Sequence, residues 1–470
     1  MAGIGFRLRE LTGDGGIVST VAAYGYAAVL SAGPWLITIT VIAALSVFAP
    51  VGVGESELAL FRALIVHVYM VTLVSTGPVQ MVASRYLADR LWVHDVDAVA
   101  PAYALGLVGV TTLHALGGAL VVWALGMPPG LALGAVGLLV VVAAIWYATT
   151  FLSAAKEYVP ITVAFAMGGL VSVVAAIWIG RPFGAAGMVY GYLVGQLLTL
   201  ALLSGRVYVE FGGGRLHEPG FVAAWRTYSD LALTGLFYSA GIWIDKVVFA
   251  YSPLGMQLPY GLRSNPGYES AIFLAYLSTI PTLALFLIRV ETGFYEAYRG
   301  FFAAILARAP LGELLARRRE IEQRLRLSVG RVLRLQAAVT AVAILFAPQL
   351  LDVLGFDPLR VQLFRVGCVA AMLQVLLLLV LLGLLYLEQR RAALWLSALF
   401  VAGNGFGSAA TLHADPSWYG TGYALACLVP LVLGYLRFDA AASDLVADTF
   451  LRQPIAPEPE AEAIPTGEPG

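Results

Sequence analysis

Long apolar segments alternate with short polar turns along almost the whole chain of 470 residues. A transmembrane helix needs about 20 consecutive, largely apolar residues. By this measure we expect twelve membrane spans, near residues 20–48, 59–82, 101–125, 131–153, 160–180, 184–204, 229–250, 269–289, 332–351, 361–386, 392–412 and 419–436. The pattern therefore predicts an all-α polytopic membrane protein with twelve transmembrane helices.

Two short motifs recur in the same order in the two halves of the chain. Ser31–Trp35 reads Ser-Ala-Gly-Pro-Trp, and Ser239–Trp243 reads Ser-Ala-Gly-Ile-Trp at an offset of 208 residues. Ser75–Pro78 is Ser-Thr-Gly-Pro, and it is echoed by the Ser-Thr-Ile-Pro of Ser278–Pro281 at an offset of 203 residues. Because repeated multi-helix units are common in transporters, we predict two six-helix bundles related by a parallel repeat.

The repeat and the polar segments divide the chain into parts with different expected structures. These parts are an amphipathic lead-in (1–19), a first six-helix bundle (20–204), a connector (205–228), a second bundle (229–436) that includes a cytoplasmic segment (290–331), and a tail (437–470). The connector contains a run of glycines and the tail is rich in proline and glutamate, so both are predicted to be flexible.

The charged residues predict the orientation of the spans. Only 12% of the residues are charged and the mean hydropathy is +0.84, whereas a soluble domain has about 25% charged residues. With an inside N-terminus, 22 of the 28 basic residues fall on segments of the same side, which by the positive-inside rule is the cytoplasm. Both termini are therefore expected to be cytoplasmic. The net charge of −1 gives no reason to expect a nucleic-acid partner.

Small residues within the predicted spans indicate close helix packing. Gly187, Gly191 and Gly195 form a ladder of four-residue spacing, which lets two helices approach closely. Cys368 and Cys427 both fall within spans, where they are expected to be small packing residues. The sequence shows no metal-spaced cluster, nucleophile elbow or paired carboxylates, so we expect neither a cofactor nor an enzymatic activity.

Two adjacent charges within the seventh span are the main candidates for a transport site. Asp245 and Lys246 should project about 100° apart around a helix, so we expect that they do not simply neutralise one another. On this reasoning Asp245 faces water, substrate or a cation from another helix, such as Arg62 or Arg365. The alternative is that both residues lie near the outer interface, where lysine extends its ammonium to water.

Other polar and aromatic residues within the spans are further candidates for the transport path. His114 near mid-membrane is either a proton-relay group or a neutral imidazole hydrogen-bonded between helices. His67, Trp35 and Trp243 complete this candidate set. Helix kinks that face a cavity are expected at one set of positions, Gly33, Pro34, Pro78 and Pro281, although a kink without any transport role is an equal alternative.

The longest predicted cytoplasmic segment has two contrasting parts. It begins with acidic and aromatic residues, among them Glu291, Phe294 and Tyr295, and continues with the basic run Arg317, Arg318 and Arg319. Apolar residues at four-residue spacing make the second part an amphipathic helix. We expect this segment either to dock a cytoplasmic partner or to lie on anionic lipid.

Four stretches of the sequence together resemble a known transporter family. They are the Met-Ala-Gly-Ile-Gly-Phe-Arg-Leu-Arg start, the Ser31–Trp35 motif, the Gly-Ile-Trp-Ile-Asp-Lys of Gly241–Lys246, and the Glu-Thr-Gly-Phe-Tyr of Glu291–Tyr295. The resemblance is to the PelG family, inner-membrane transporters of the Pel exopolysaccharide system within the multidrug/oligosaccharidyl-lipid/polysaccharide (MOP) exporter superfamily. Such proteins have twelve helices in two bundles around a central cavity.

This resemblance implies a substrate and partners. It implies export of a cationic, amino-sugar-rich polysaccharide across the bacterial inner membrane for the biofilm matrix. It also implies a cytoplasmic PelF-like glycosyltransferase and PelD-like and PelE-like membrane scaffolds as partners. The alternatives that stay open are a flippase for a lipid-linked oligosaccharide, a cation-coupled drug antiporter, and a membrane scaffold for a polysaccharide synthase.

Overall fold

The computed structural model describes residues 33–34, 36–48, 52–212, 218–286, 291–357, 360–446 and 450. Its helices are α1 Leu36–Val47, α2 Glu55–Trp92, α3 Val99–Ala124, α4 Pro129–Ala154, α5 Tyr158–Phe211, α6 Pro219–Thr227, α7 Ser229–Ala250, α8 Pro266–Tyr276, α9 Ile280–Leu285, α10 Glu291–Leu306, α11 Leu311–Leu345, α12 Ala347–Val353, α13 Arg360–Tyr386, α14 Arg390–Thr411 and α15 Thr421–Ser443. Two strands, β1 Met256–Gln257 and β2 Arg263–Ser264, form an antiparallel hairpin.

Ten helical segments within these residues are long and apolar enough to cross a membrane. One of them, α5, has 54 residues, about 80 Å of helix, which is far more than a bilayer needs. The chain reverses within α5 at Gly184, whose φ of 58° and ψ of −141° are open to glycine but not to other residues. When α5 is counted as two spans, and α1 as the described part of the first predicted span, the helices match the twelve predicted spans.

The glycine ladder explains how the two arms of α5 lie against each other. A Cβ atom added to Gly191 would lie 2.3 Å from the backbone nitrogen of Ala176, and one added to Gly195 would lie 2.3 Å from the carbonyl oxygen of Gly168. Because no side chain fits between them, the arms pack backbone to backbone. The close packing predicted for this ladder is confirmed.

Each half of the chain has its own apolar core. The core of the first half, the N-bundle (helices α1 to α5), includes a stacked pair of rings, Tyr103 and Tyr147, with centroids 5.7 Å apart. The core of the second half, the C-bundle (helices α7 to α15), includes Phe400 and Tyr423, both fully buried. The two-bundle architecture predicted from the repeat is confirmed.

The connector between the bundles is partly helical. The expectation of a flexible segment over 205–228 is wrong on both sides of the glycine run, because α5 continues to Phe211 and α6 folds after it and buries Phe221. The ring of Phe221 packs edge-on against Tyr86 of α2, with centroids 5.3 Å apart. The connector is therefore docked on the N-bundle.

The segment 290–331 does not form an amphipathic helix separate from the ninth span. Its first part forms α10, and its second part belongs to α11, which runs without a break from Leu311 into the span and ends at Leu345. The charged half of α11 is therefore a direct continuation of the apolar span.

Arginines mark one end of both bundles. Arg206 at the end of α5 pairs with Glu157 before its start at 3.2 Å, and Arg326 of α11 pairs with Asp439 of α15 at 3.1 Å. We call this the arginine-rich end. The β1–β2 hairpin and the start of α2 at Glu55 lie at the opposite end.

Candidate functional site

A buried ion pair lies inside the C-bundle. Lys246 Nζ is 3.1 Å from both carboxylate oxygens of Asp245, and the two side chains are 3% and 0% exposed. The ammonium also donates to the carbonyl oxygen of Ile242 and to the hydroxyl of Tyr276, each at 2.8 Å. These bonds use all three donors of the lysine.

Two further helices hold the carboxylate. Tyr268 of α8 donates its hydroxyl to Asp245 Oδ2 at 2.9 Å. Asn404 of α14 donates to the carbonyl oxygen of Gly241 at 2.7 Å and lies 3.4 Å from Asp245 Oδ1. Because a buried charge is costly unless it is paired and hydrogen-bonded, these contacts make the carboxylate stable where it is.

Aromatic rings surround the ammonium. Lys246 Nζ lies 5.0 Å from the ring centroid of Tyr276 and 5.0 Å from that of Tyr423, within the range of cation–π attraction. The two tyrosine hydroxyls are also hydrogen-bonded to each other at 3.0 Å. We call Asp245, Lys246, Tyr268, Tyr276, Asn404 and Tyr423 the Asp–Lys–Tyr cluster.

The expectation that Asp245 and Lys246 cannot neutralise one another is wrong. Their Cβ atoms point in different directions, but the four-carbon stem of lysine is long enough to bring Nζ back to the carboxylate. Lys246 also does not extend to the interface. The proposed partners lie elsewhere, since Arg62 pairs with Glu55 at 3.0 Å and Arg365 donates to a backbone carbonyl of α11 at 3.2 Å.

The remaining path candidates do not converge on this cluster. His67 Nδ1 lies 2.8 Å from a carbonyl oxygen of its own helix. His114 is buried, and its Nε2 lies 2.7 Å from Ser75 Oγ of α2, so it bridges two helices of the N-bundle. Trp243 packs edge-on against Phe273, with centroids 5.7 Å apart. A role in transport stays a prediction for each of them.

The predicted kink positions differ in their local structure. Gly33 is buried and the Pro34 carbonyl accepts a hydrogen bond from a threonine hydroxyl one turn later, whereas Trp35 lies outside the described residues. Pro78 lies within the continuous helix α2. Pro281 lies in the first turn of α9, directly after a 3₁₀ turn, so it marks a break between two helices.

The two bundles touch closely where α2 crosses α7. A Cβ atom added to Gly235 would lie 2.4 Å from the carbonyl oxygen of Gly77, and one added to Gly77 would lie 2.6 Å from that of Gly235. The backbones are therefore in direct contact. Gly77 precedes the Pro78 of the repeated motif, which gives this stretch a packing role between the halves.

Charged residues join the bundles at the arginine-rich end. Arg85 of the N-bundle pairs with Glu388 of the C-bundle and with Asp89 at 3.2 Å. Arg390 pairs with Glu388 at 2.8 Å, and its guanidinium lies 5.1 Å from the ring centroid of Tyr228, which donates to Asp89. Burial and this hydrogen bond raise the pKa of Tyr228. We call these five residues the ionic latch.

The sequence reasoning missed the ionic latch. Arg85 and Asp89 are separated by one helical turn, which suggests a local pair. The bond of Arg85 to Glu388, 303 positions away, carries no signal in a single sequence.

The β1–β2 hairpin joins the bundles at the opposite end. Leu262 of the hairpin is 6% exposed and belongs to the apolar cluster of the N-bundle that contains Phe61, Leu64 and Leu131. The tip turns at Gly261, whose φ of 72° lies in the left-handed region. A segment of the C-bundle thus packs into the N-bundle.

The predicted docking residues lie on α10 and α11. The backbone of α10 includes Glu291, Phe294 and Tyr295, and their side chains lie outside the described residues. Arg317 pairs with glutamates of its own helix, at 3.7 and 3.8 Å, and Arg319 is exposed. Arg318 pairs with Glu322 of its own helix at 3.8 Å and also donates to the carbonyl oxygen of Ser443 at 2.8 Å, so it joins α11 to α15.

Solved structures similar to this chain are membrane transporters. An outward-facing multidrug resistance MATE family transporter of the MOP superfamily shares 15% identity, with 90% of this chain and 96% of that chain covered and a TM-score of 0.63. An inward-facing MATE transporter shares 15% identity, covers 90% and 95%, and has a TM-score of 0.56. A MOP superfamily transporter from Pyrococcus furiosus shares 15% identity, covers 91% and 96%, and has a TM-score of 0.59.

The comparison with protein families is more specific than the comparison of folds. No curated protein matches the chain significantly. The profile of the family described as "PelG: Putative exopolysaccharide Exporter (EPS-E)" matches residues 1–450. The chain therefore belongs to the PelG family of exopolysaccharide exporters and has the fold of the MOP-superfamily transporters.

Proposed function

We propose that this protein exports a cationic, amino-sugar-rich exopolysaccharide from the cytoplasm to the periplasm during biofilm matrix synthesis. The match of residues 1–450 to the PelG family carries this proposal. The basic residues support an orientation in the bacterial inner membrane with both termini in the cytoplasm. In this orientation the arginine-rich end is cytoplasmic and the β1–β2 hairpin is periplasmic.

The path of the polymer runs between the N-bundle and the C-bundle. The ionic latch closes it on the cytoplasmic side, the contact of Gly77 with Gly235 narrows it, and the hairpin covers it on the periplasmic side. Weak contacts along such a path suit a polymer that must keep moving.

The Asp–Lys–Tyr cluster affects transport indirectly, because it fixes the position of α7 within the C-bundle. Both charges are satisfied inside the C-bundle, and α7 is the helix that carries Gly235 to the N-bundle. Asp245 is therefore a positioning residue in this proposal, and not a contact for the polymer. A carboxylate already neutralised by a fixed lysine is also a poor site for a coupling cation, which disfavours the antiporter alternative at this position.

Cytoplasmic partners dock on the charged extension formed by α10 and the first half of α11. We propose that a PelF-like glycosyltransferase binds there and that PelD-like and PelE-like scaffolds complete the assembly. The exposure of Arg317 and Arg319 supports this surface, since exposed charges steer association.

A cross-link across the ionic latch tests whether the chain is a transporter. Arg85→Cys with Glu388→Cys, joined by a short bifunctional thiol reagent, should hold the bundles together and stop export. The native Cys368 and Cys427 are buried and should not react. Each single cysteine variant, treated with the same reagent, is the matched control for the loss of the ion pair.

The same experiment separates transport from scaffolding. A transporter should lose exported polymer on cross-linking while its glycosyltransferase still co-purifies. If polymer appears outside the cell at the normal rate with the cross-link complete, the path does not open at the latch and the proposal fails. If the glycosyltransferase no longer co-purifies once the cross-link has formed, the loss of export follows from lost assembly and supports the scaffold alternative.

A further inference from the structure

A cavity of about 570 Å³ opens at the arginine-rich end of the C-bundle, beside the start of α7 and the turn between α13 and α14. Its charged and aromatic lining residues are Asp230, Glu388, Arg390, Arg391, Trp395 and Arg437. Three of these residues are arginines from two different helices. The cavity shares Glu388 and Arg390 with the ionic latch, and all of its lining residues belong to the C-bundle.

Two carboxylates, Asp230 and Glu388, balance part of the positive charge of the cavity. Asp230 Oδ1 accepts a hydrogen bond from the backbone N–H of Leu231 at 2.8 Å, at the N-terminus of α7. Glu388 lies between Arg85 and Arg390. With three arginines against two carboxylates, the lining keeps a net positive charge.

Two of the arginines form no ion pair within the described residues. Arg437 donates to the neutral side-chain oxygen of Gln389 at 2.7 Å. Arg391 is exposed and pairs with no carboxylate in the part of the chain that the structure describes. The cavity thus offers guanidinium groups, which bind phosphate with two parallel hydrogen bonds.

An apolar stripe leads from the cavity along α14. Trp395 lies one turn after Arg391 and is 73% exposed, and Leu399, one further turn away, is 41% exposed. Each step is about 6 Å along the helix axis. An arginine followed by an exposed tryptophan and a leucine is the order expected from a headgroup region into the hydrocarbon core.

We propose that this cavity binds the phosphate headgroup of an anionic phospholipid, with an acyl chain lying along Trp395 and Leu399. The assignment to the cytoplasmic leaflet rests on the orientation given under the proposed function. A soluble phosphate compound would use the arginines alone, whereas a lipid uses both the arginines and the apolar stripe. Basic pockets at the cytoplasmic ends of membrane helices are typical sites for anionic lipids.

The test uses the purified full-length protein in nanodiscs that contain phosphatidylglycerol or only phosphatidylcholine. Native mass spectrometry measures the retained lipid, and a thermal unfolding assay measures stabilisation. Arg391→Gln with Arg437→Gln should weaken retention of phosphatidylglycerol about 25-fold, about fivefold for each arginine. Arg319→Gln, an exposed arginine of α11, is the control and should retain the lipid.

A second variant tests the apolar half of the site. Trp395→Ala should reduce lipid retention while leaving any stabilisation by inorganic phosphate unchanged. Equal retention of phosphatidylcholine and phosphatidylglycerol by the unmodified protein would overturn the proposal. Stabilisation by inorganic phosphate equal to that by the lipid would also overturn it, because the site would then bind soluble anions.

Discussion

Removing one charge of the buried ion pair should destabilise the protein more than removing both. Asp245→Asn leaves the Lys246 ammonium buried with only neutral partners, the carbonyl oxygen of Ile242 and the hydroxyl of Tyr276. Removing one partner of a buried pair costs about 3–5 kcal/mol. The upper end of this range agrees with the free energy needed to deprotonate a lysine of ordinary pKa at pH 7, which is about 4.6 kcal/mol.

The double variant Asp245→Asn with Lys246→Met removes both charges and keeps most of the packing. The asparagine still offers an oxygen to Tyr268, and methionine replaces most of the lysine stem. The main loss is the cation–π contact with Tyr276 and Tyr423, up to about 2 kcal/mol when desolvated. The double variant should therefore be about 1–3 kcal/mol more stable than Asp245→Asn.

The assay compares the amount of each variant in membranes and its unfolding after purification, together with polymer export. Arg62→Gln, which breaks an exposed ion pair, is the control and should change stability by less than about 1 kcal/mol. Asp245→Asn should be depleted and the double variant should recover. If Asp245→Asn is instead as abundant and stable as the unmodified protein but exports no polymer, Asp245 contacts the substrate and the positioning role is refuted.

Two further predictions follow from contacts between helices. Gly235→Leu should force α7 away from α2 and impair export, because any Cβ there meets the Gly77 carbonyl. Gly109→Leu is the control and should leave export unchanged in the same assay, because a Cβ at Gly109 meets nothing within 4 Å. Arg318→Glu should lower the amount of protein in membranes by breaking the contact with α15. Arg319→Glu should leave the amount of protein in membranes unchanged and reduce only co-purification of the glycosyltransferase. Equal abundance of the Arg318→Glu and Arg319→Glu variants would contradict the structural role of Arg318.

The spans could be predicted from the sequence because the bilayer imposes a length and a polarity on each helix. The reversal within α5 was also predictable, since a gap between apolar segments falls near Gly184. The continuity of α11 was not, because a charged amphipathic helix and an apolar span can join without any change in helical backbone.

The candidate site was only partly predictable. Asp245 and Lys246 are conspicuous because charges are rare within spans. Their geometry was missed because helical position fixes where a Cβ points, not where a long flexible side chain ends. Tyr268 and Asn404 lie 23 and 159 residues from Asp245, so their hydrogen bonds depend on tertiary packing that the sequence pattern does not contain.

The two closures between the bundles differ in strength. The Arg85–Glu388 pair of the ionic latch is 33% and 42% exposed, and exposed pairs contribute only about 0–1 kcal/mol. Burial of Leu262 of the hairpin in the apolar cluster contributes about 1.5–3 kcal/mol. Leu262 thus contributes more than the Arg85–Glu388 pair, so under the proposed function displacing the hairpin should cost more than breaking this pair.

Under the proposed function, a polymer that is exported while it grows would occupy its path from end to end, so the hairpin would have to stay displaced throughout export. Leu125→Cys with Gly261→Cys should allow a cross-link that prevents this, because a Cβ at Gly261 lies 3.9 Å from the Leu125 side chain. We expect export to stop when the cross-link forms and to resume on reduction. The reduced double variant also controls for backbone strain at Gly261, whose φ is 72°. Normal export with the cross-link intact would show that the polymer leaves without passing the hairpin.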